Sequence, residues 1–327
     1  MALLLTRADI QSFLTMKDAM EAVEEAFRQL ALGTVEMPQR PVIRVPEHHG
    51  TVLFMPALIG GMGALGMKVV SVYPDNPQKY GKPTVLGTIL LNDPATGEVI
   101  AIMDGGFITA MRTGAVSGVA TQYMARPDAR VAGIFGAGVQ ARTQLIALAE
   151  ARPLERAVVY DVVPEARERF AAEMSAQLGF PVQPVDDPRA AVEGCDIIAT
   201  ATSAATPVFD GNWVAPGTHI NGIGSHAPNM RELDTTIVLR SRVIVDLRGA
   251  ALAEAGDLII PIREGAITAD HIVGELGSVV VGQIPGRTHP DEITLFKSEG
   301  LAIQDVSVAS RVYQMAQERG IGQEITT

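Results

Sequence analysis

The sequence predicts an α/β protein in two parts: a mainly antiparallel α+β region first, then a parallel sheet with helices on both faces. Three observations predict it. After Pro38, short β-rich runs follow one another with no helical run between them, which favours antiparallel pairing. From Val131 onward, strands and helices alternate, the rhythm of a parallel sheet. At the first strand-to-helix crossing of that series stands Gly136-Ala137-Gly138-Val139-Gln140-Ala141.

Thr15 with Asp18 three residues on is a capping-box start, and Met20, Val23, Phe27 and Leu30 then fall on one helical face, with Gly33 placed to end the helix. The β-rich runs are Val42 to Val45, Thr51 to Met55, Leu65 to Tyr73, Val85 to Asn92 and Val99 to Met103, separated by Gly and Pro clusters. Ala110 to Ala125 reads as a connecting helix. Strands are expected at Val131 to Phe135, Ala157 to Asp161, Asp196 to Thr202, Thr218 to Ile223 and Arg242 to Asp246, with helices from Val139 and over Pro164 to Leu178. A last helix, Ala302 to Arg319, follows that series, and its pattern leaves open which domain it packs on.

Composition bounds the function. The chain has 327 residues, 47% apolar and 19% charged, which suits two domains with real cores. The net charge of −11 argues against nucleic acid or an anionic membrane as partner. An anionic small substrate therefore needs a local cluster of cations. The single cysteine, Cys195, excludes an internal disulfide and suits a reducing cytoplasm, where it reads as an inert core thiol. Arg7 and Asp9 interrupt the apolar start too early for a signal peptide, and no run approaches the ~20 apolar residues of a membrane span. A cytoplasmic protein is expected.

The strongest local motif is the glycine turn. Gly136 permits a tight turn, Gly138 lets the backbone approach a pyrophosphate, and Ala141 allows close helix–strand packing, with the helix N-terminus facing the phosphates. The preceding strand, the following helix and an acid closing the next strand, Asp161 in Val158-Val159-Tyr160-Asp161, agree with a Rossmann dinucleotide-binding domain. An aspartate there can accept from both ribose hydroxyls and repels a 2′-phosphate, so NAD is favoured over NADP, although Arg130 and Arg167 lie nearby in sequence.

Three cations stand in apolar settings before that domain: Arg44 in Pro41-Val42-Ile43-Arg44-Val45, Lys68 in Leu65-Gly66-Met67-Lys68-Val69-Val70, and Arg112 just before Thr113-Gly114-Ala115. Lys68 is one of five lysines in the chain. Arg grips a carboxylate bidentately, and a partly desolvated Lys can hold one or move a proton. Any one of them alone could be a strand residue turned to solvent; three in one half point to a shared carboxylate site.

The chain resembles the ornithine cyclodeaminase/μ-crystallin family over nearly its whole length. The resemblance is carried by Gly66-Met-Lys68-Val-Val, Met103-Asp-Gly-Gly, Thr109-Ala-Met-Arg112-Thr-Gly-Ala, the glycine turn, Asn221-Gly-Ile-Gly-Ser225-His-Ala-Pro-Asn-Met-Arg-Glu-Leu233, and Phe296-Lys-Ser298-Glu-Gly-Leu-Ala-Ile-Gln-Asp305. It implies a homodimer in which residues 1–115 with 302–327 form a substrate-binding and dimerisation domain and 116–301 the Rossmann domain. By position, Arg44, Lys68, Arg112 and Glu299 would hold the substrate. Thr84, Arg112, Gly136, Gly138, Val139, Gln140, Asp161, Thr202, Ile220, Asn221, Gly222, Ile223 and Ser298 would contact the dinucleotide. The catalytic candidates are Lys68 and His226. Where cyclodeaminases place an aspartate that serves as acid/base, this chain has His226, and Met230 replaces a lysine they use near the cofactor. An imidazole with a reference pKa of ~6.5 can still move protons, and it can equally be a satisfied loop histidine.

The chemistry implied is hydride exchange between nicotinamide and the Cα–N bond of an amino acid. Reduction of a cyclic ketimine such as pyrroline-2-carboxylate makes an imine reductase; hydrolysis of the imine makes an alanine-type dehydrogenase. Return of the hydride after ring closure makes a cyclodeaminase. The absent aspartate turns the expectation toward reductase or dehydrogenase, with ornithine cyclodeaminase as the alternative and a non-catalytic, μ-crystallin-like binding protein as an alternative of another class. Convergence of Lys68 and Arg112 favours an enzyme.

Overall fold

The computed structural model describes residues 1–326. The chain divides into two compact units, Met1–Arg112 together with the chain from Leu301 on, and Thr113–Gly300. The first opens with β1 (Ala2–Leu5), α1 (Arg7–Gln11), α2 (Met16–Ala31), β2 (Val35–Glu36), β3 (Val42–Val45), β4 (Gly50–Ile59) and β5 (Ala64–Val72). It continues with α3 (Asn76–Tyr80), β6 (Val85–Asn92), β7 (Val99–Asp104) and α4 (Gly105–Met124), a helix that runs on past the boundary of the unit.

Local chemistry explains these starts and stops. Thr15 accepts from the Asp18 amide and Asp18 reaches back to the Thr15 amide, so α2 starts on a reciprocal capping box. Its buried face carries Met16, Met20, Val23 and Phe27, each contributing on the order of 1.5–3 kcal/mol by leaving water. Gly33 follows the helix with φ +73°, a conformation glycine adopts without a Cβ penalty.

The strands of this unit form a sheet in the order β16-β1-β7-β6-β5-β4-β2, with β3 added to β4, where β16 (Gln323–Ile325) comes from the chain's end. Antiparallel pairing prevails, as the unbroken run of strands predicts. β1 lies parallel to β7, and neither β1 nor β16 was legible as a strand. The short helix α3 also interrupts the strand series, where no helix was expected. One sheet face is covered by α11 (Ala302–Arg319), which packs on α2, β4, β5 and β6.

The second unit opens with the predicted alternation, β8 (Val131–Phe135), α5 (Val139–Ala151), β9 (Arg156–Tyr160) and α6 (Pro164–Leu178). It then runs through β10 (Val182–Val185), a strand not expected, β11 (Ile197–Thr200) and β12 (His219–Gly222) with no α-helix between them. Then come α7 (Thr235–Arg240), β13 (Ser241–Val245), α8 (Arg248–Glu254), α9 (Gly256–Arg263), β14 (Ile272–Glu275), α10 (Leu276–Val280) and β15 (Ile293–Lys297). Every pairing is parallel, in the order β10-β9-β8-β11-β12-β15-β13-β14. Alternate residues of each strand feed two cores: Ala132, Ile134, Ile197 and Ala199 enter one, Phe135 and Ile198 the other. A sheet covered on both faces is what makes these strands near-continuously apolar. The strands from Asp196 and Thr218 are shorter than their apolar runs by one or two residues at each end. Cys195 is buried and free, and burial pushes its thiol up to about 12, the inert state expected. No helix among the described residues is long and apolar enough to cross a membrane.

Candidate functional site

In the first unit, side chains build a buried charge cluster. Lys68 lies on the buried face of β5, 1% exposed, rather than turned to solvent. Its register partners Met55 and Ile89 are buried with it. Its Nζ is 2.8 Å from the Asp305 carboxylate and 3.4 Å from Thr109 Oγ1. Arg112, one turn beyond Thr109 on α4, donates from Nε to Asp305 at 3.0 Å and from Nη1 to Gln304 Oε1 at 2.7 Å. Asp305 stands in the first turn of α11, where the helix dipole favours an anion.

Burial pushes the Lys68 ammonium down to about 8; Asp305 pulls it up, and Arg112 and Arg40 push it further down. Two buried cations thus share one carboxylate. Because guanidinium only donates, Gln304 must present its oxygen to Arg112. That leaves Gln304 Nε2 a buried donor without a partner among the described residues.

Arg44 is not in this cluster's register. It is exposed, paired with Thr51 on the edge strand. Pro41 O accepts from Phe54 N, which continues the β3–β4 pairing and sets Arg40 opposite Met55, the partner of Lys68. Arg40 is therefore the cation that acts on Lys68 from this direction. Thr84 sits half-buried just before β6, its carbonyl accepting from the Tyr73 amide.

In the second unit, the glycine turn joins β8 to α5. Gly136 has φ +98°, and a Cβ there would come 2.6 Å from Ala201 O, so only glycine fits. At Gly138 an added Cβ would meet nothing within 4 Å. Gly138 is also the N-cap of α5 with no side-chain hydrogen bond, leaving the first amides of that helix uncovered by a cap. Val139 is 67% exposed, and Gln140 Oε1 is buried without a partner among the described residues.

Asp161 accepts from the Ala137 amide at 2.8 Å and the Val163 amide at 2.9 Å, bracing the turn against the end of β9. Arg167 donates to the Asp161 carbonyl, and Arg130 pairs with Glu155, so both arginines have protein partners. An open glycine face, uncapped helix amides and a carboxylate at the neighbouring strand end fit a dinucleotide's pyrophosphate and ribose.

Around the next strand ends, Ile220 is fully buried in the core, so its side chain belongs to the fold. Asn221 Nδ2 donates to Thr121 Oγ1 at 3.1 Å, while Asn221 Oδ1 is buried without a partner among the described residues. Thr202, Gly222 and Ile223 lie where β11 and β12 end. Ser298 donates to Asp246 Oδ2 at 2.9 Å. His226 is exposed, its Nδ1 2.8 Å from Gly224 O; a carbonyl accepts only, so Nδ1 carries the hydrogen and Nε2 offers a lone pair.

Beneath these loops lies a second buried cluster. Lys297 Nζ is 3.1 Å from Glu299 and 3.4 Å from Asp257, all 0% exposed at the side chain. Burial alone would lower the Lys297 ammonium; Glu299, Asp257 and Glu232 override it and hold it above its ordinary value. Burial pushes Glu299 up to about 8, against the pull of Lys297.

Sequence reasoning named Lys68, Arg112 and Glu299 but gave no role to Asp305, Gln304, Arg40, Glu232, Asp257 or Lys297. The available signal was charge balance, since buried cations require a buried carboxylate.

A dinucleotide-type parallel sheet and a buried Lys–Asp–Arg cluster, in two units of one chain, define a two-unit nucleotide-binding protein of the doubly wound α/β class. The model of the ornithine cyclodeaminase/mu-crystallin family matches residues 1–320, and the chain belongs to that family. It is 37% identical to a Δ1-pyrroline-2-carboxylate reductase of Bacillus cereus over 324 residues, 99% of each chain. It is 38% identical to an alanine dehydrogenase of Archaeoglobus fulgidus, over 99% of this chain and 98% of that one. Among solved structures, the Δ1-pyrroline-2-carboxylate reductase of Thermococcus litoralis in complex with NADH and L-proline is 49% identical with a TM-score of 0.96, covering 99% of this chain and all of that one.

Proposed function

We propose that this protein is an NAD(H)-dependent oxidoreductase that reduces the C=N bond of a small cyclic α-imino acid such as pyrroline-2-carboxylate, or exchanges hydride with an α-amino acid of the alanine type. We place it in the cytoplasm as a homodimer, a reading supported by its lone buried cysteine and by the dimeric alanine dehydrogenase structure, 37% identical with a TM-score of 0.93. The observation that carries the reading is the buried Lys68–Asp305–Arg112 cluster. Two cations against one carboxylate leave a positive charge that an anionic ligand relieves.

Bound NADH supplies the hydride. Arg112 and Lys68 hold the substrate carboxylate, and Gln304 Nε2 is a further donor. Arg40 adds positive potential along the Met55–Lys68 line. Lys68, pushed down to about 8, is poised to give up a proton near neutral pH, and reduction of an imine takes up one proton with each hydride. His226, with Nε2 open, is the other proton-moving candidate. Within the second unit, Asp161, Gly136 and Gly138 with the amides at Val139 and Gln140, Thr202, the stretch Ile220–Ile223 and Ser298 are proposed to hold the dinucleotide. The braces on Asp161 and the absence of an uncommitted arginine beside it support NAD over NADP.

The test follows NADH while pyrroline-2-carboxylate, piperideine-2-carboxylate, pyruvate with ammonia, and L-ornithine with NAD are offered in turn. NADH consumption with a cyclic imine, or with pyruvate and ammonia, is expected. Proline and ammonia formed from ornithine with no net NADH would overturn the reading in favour of a cyclodeaminase.

A further inference from the structure

Four protein donors converge on one fully buried carboxylate that the proposed chemistry does not use. Glu232 Oε1 accepts from Thr202 N at 2.6 Å and Thr202 Oγ1 at 2.7 Å; Oε2 accepts from Thr200 Oγ1 at 2.8 Å and Gly224 N at 2.7 Å. Thr200 ends β11, while Thr202 and Gly224 belong to the segments leaving β11 and β12. The carboxylate is itself fixed: Asp257 Oδ1, from the first turn of α9, accepts from the Glu232 and Leu233 amides at 2.7 and 2.9 Å. Lys297 closes the arrangement, 3.4 Å from Asp257 and donating to Ser225 O at 2.6 Å. The segments pack closely enough that only glycine fits: a Cβ at Gly224 would fall 2.5 Å from Glu232 Oε1 and 2.2 Å from Thr202 O.

We infer that Glu232 is a positioning residue for the dinucleotide, tying the Thr202 loop to the Gly222–Gly224 loop so that both present their backbone to the cofactor in one fixed spacing. The inference rests on the proposal that these loops hold NAD(H). The physical reason for a carboxylate is specific. Each oxygen faces one backbone N–H, Thr202 N on Oε1 and Gly224 N on Oε2, and a backbone N–H can only donate, so both positions of the tie must accept. Glutamine has the same size but brings an amide NH2 that must face one pair of donors, which pushes one loop away while leaving the core volume intact.

The experiment titrates NADH by fluorescence into the wild type, Glu232→Gln and Thr200→Val, alongside thermal melts and steady-state kinetics. Glu232→Gln is expected to weaken NADH binding by roughly 10- to 100-fold, because misplacing a binding loop by about an ångström has effects of this size. The imino-acid KM at saturating NADH should stay within about threefold, a split a general loss of folded protein would not give. Thr200→Val removes a donor to the same carboxylate from the strand rather than a loop, and should change NADH binding by less than about threefold. NADH affinity of folded Glu232→Gln within about threefold of wild type would overturn the inference. A wild type that binds no NADH would instead overturn the cofactor reading beneath it. Should Glu232→Gln fail to fold, Asp257→Ala removes the acceptor of the Glu232 and Leu233 amides and so loosens the Glu232 backbone without removing its carboxylate; weakened NADH binding supports the tie, and unchanged binding overturns it.

Discussion

Replacing Asp305 with Asn tests the buried cluster most directly. The wild-type carboxylate is 0% exposed, with Lys68 Nζ at 2.8 Å and Arg112 Nε at 3.0 Å. The amide keeps the volume and deletes the charge, stranding two cations in a buried setting. Breaking a buried pair in this way costs on the order of 3–5 kcal/mol. The lower end is favoured because the two cations differ: Arg112 cannot shed its proton, whereas Lys68 can. Lys68 is already down to about 8 by burial, and Asp305 is the group pulling it up, so its removal moves Lys68 lower still and lets it escape as the neutral amine. At about 2–4 °C per kcal/mol for a chain of this class, the melting temperature should fall by roughly 10 °C at pH 7. The assay is a thermal melt from pH 6 to 9, with and without L-proline as a carboxylate ligand. Protection by proline should fade at a lower pH in the variant than in wild type, following the lowered Lys68. A melt within about 2 °C of wild type across that range would refute the claim that Asp305 neutralises the site.

Other consequences follow from the same geometry. Lys68→Met should be near neutral or stabilising at pH 7, because holding an ammonium whose affinity has dropped from 10.5 to about 8 costs roughly 3 kcal/mol relative to a neutral side chain. Turnover should nevertheless fall by about 100-fold or more. The folded pKa lies below the unfolded one, so wild-type stability gains as pH rises from about 8 to about 10.5, and melts of Lys68→Met should lack that gain. Asp161→Ala loosens the turn held through the Ala137 and Val163 amides. It should weaken NADH by roughly 10-fold or more and narrow the NAD-to-NADP preference in kcat/KM. His219, fully buried and pushed by burial down to about 3, stays neutral in the folded chain while the unfolded imidazole protonates below about 6.5. Stability should therefore decline as pH drops through that window, by up to about 1.4 kcal/mol per pH unit, and denaturant melts of His219→Asn should show a flatter acid limb.

The parts legible in sequence are those whose physics is local. The capping box at Thr15 and Asp18 lies within one turn, and the glycine turn, α5 and Asp161 lie within one βαβ unit. The helix over Ala302–Arg319 matches its pattern end to end. Lys68 was legible as an isolated lysine in an apolar strand, because a cation there must be compensated. Its compensation was not: Asp305 is 237 residues away from Lys68 and 193 from Arg112, and no spacing rule connects them. The substitution of Arg40 for Arg44 at the cluster has a similar cause. The two arginines are four residues apart and share a sheet face, so only the register fixed by Pro41 and Phe54 tells them apart. Glu232 sat in plain view in a polar loop, where one acid among many carries no sign that four donors will close on it.

Charge decides what the first cluster can bind, and that bears on the choice among reactions. A monoamino or imino acid brings one carboxylate to the buried Lys68–Asp305–Arg112 trio, whose one surplus positive charge it offsets, while the half-buried Arg40 adds further positive potential. L-ornithine brings the same carboxylate together with a second ammonium on its side chain. That ammonium needs an anion of its own, since a buried charge without a partner is not tolerated. The position where cyclodeaminases carry an aspartate is His226 here, an imidazole whose Nδ1 hydrogen is already given to Gly224 O and which is neutral or cationic but never anionic. Within the first unit's cluster the one buried carboxylate, Asp305, is already shared by Lys68 and Arg112, so that cluster offers no anion to a second ammonium.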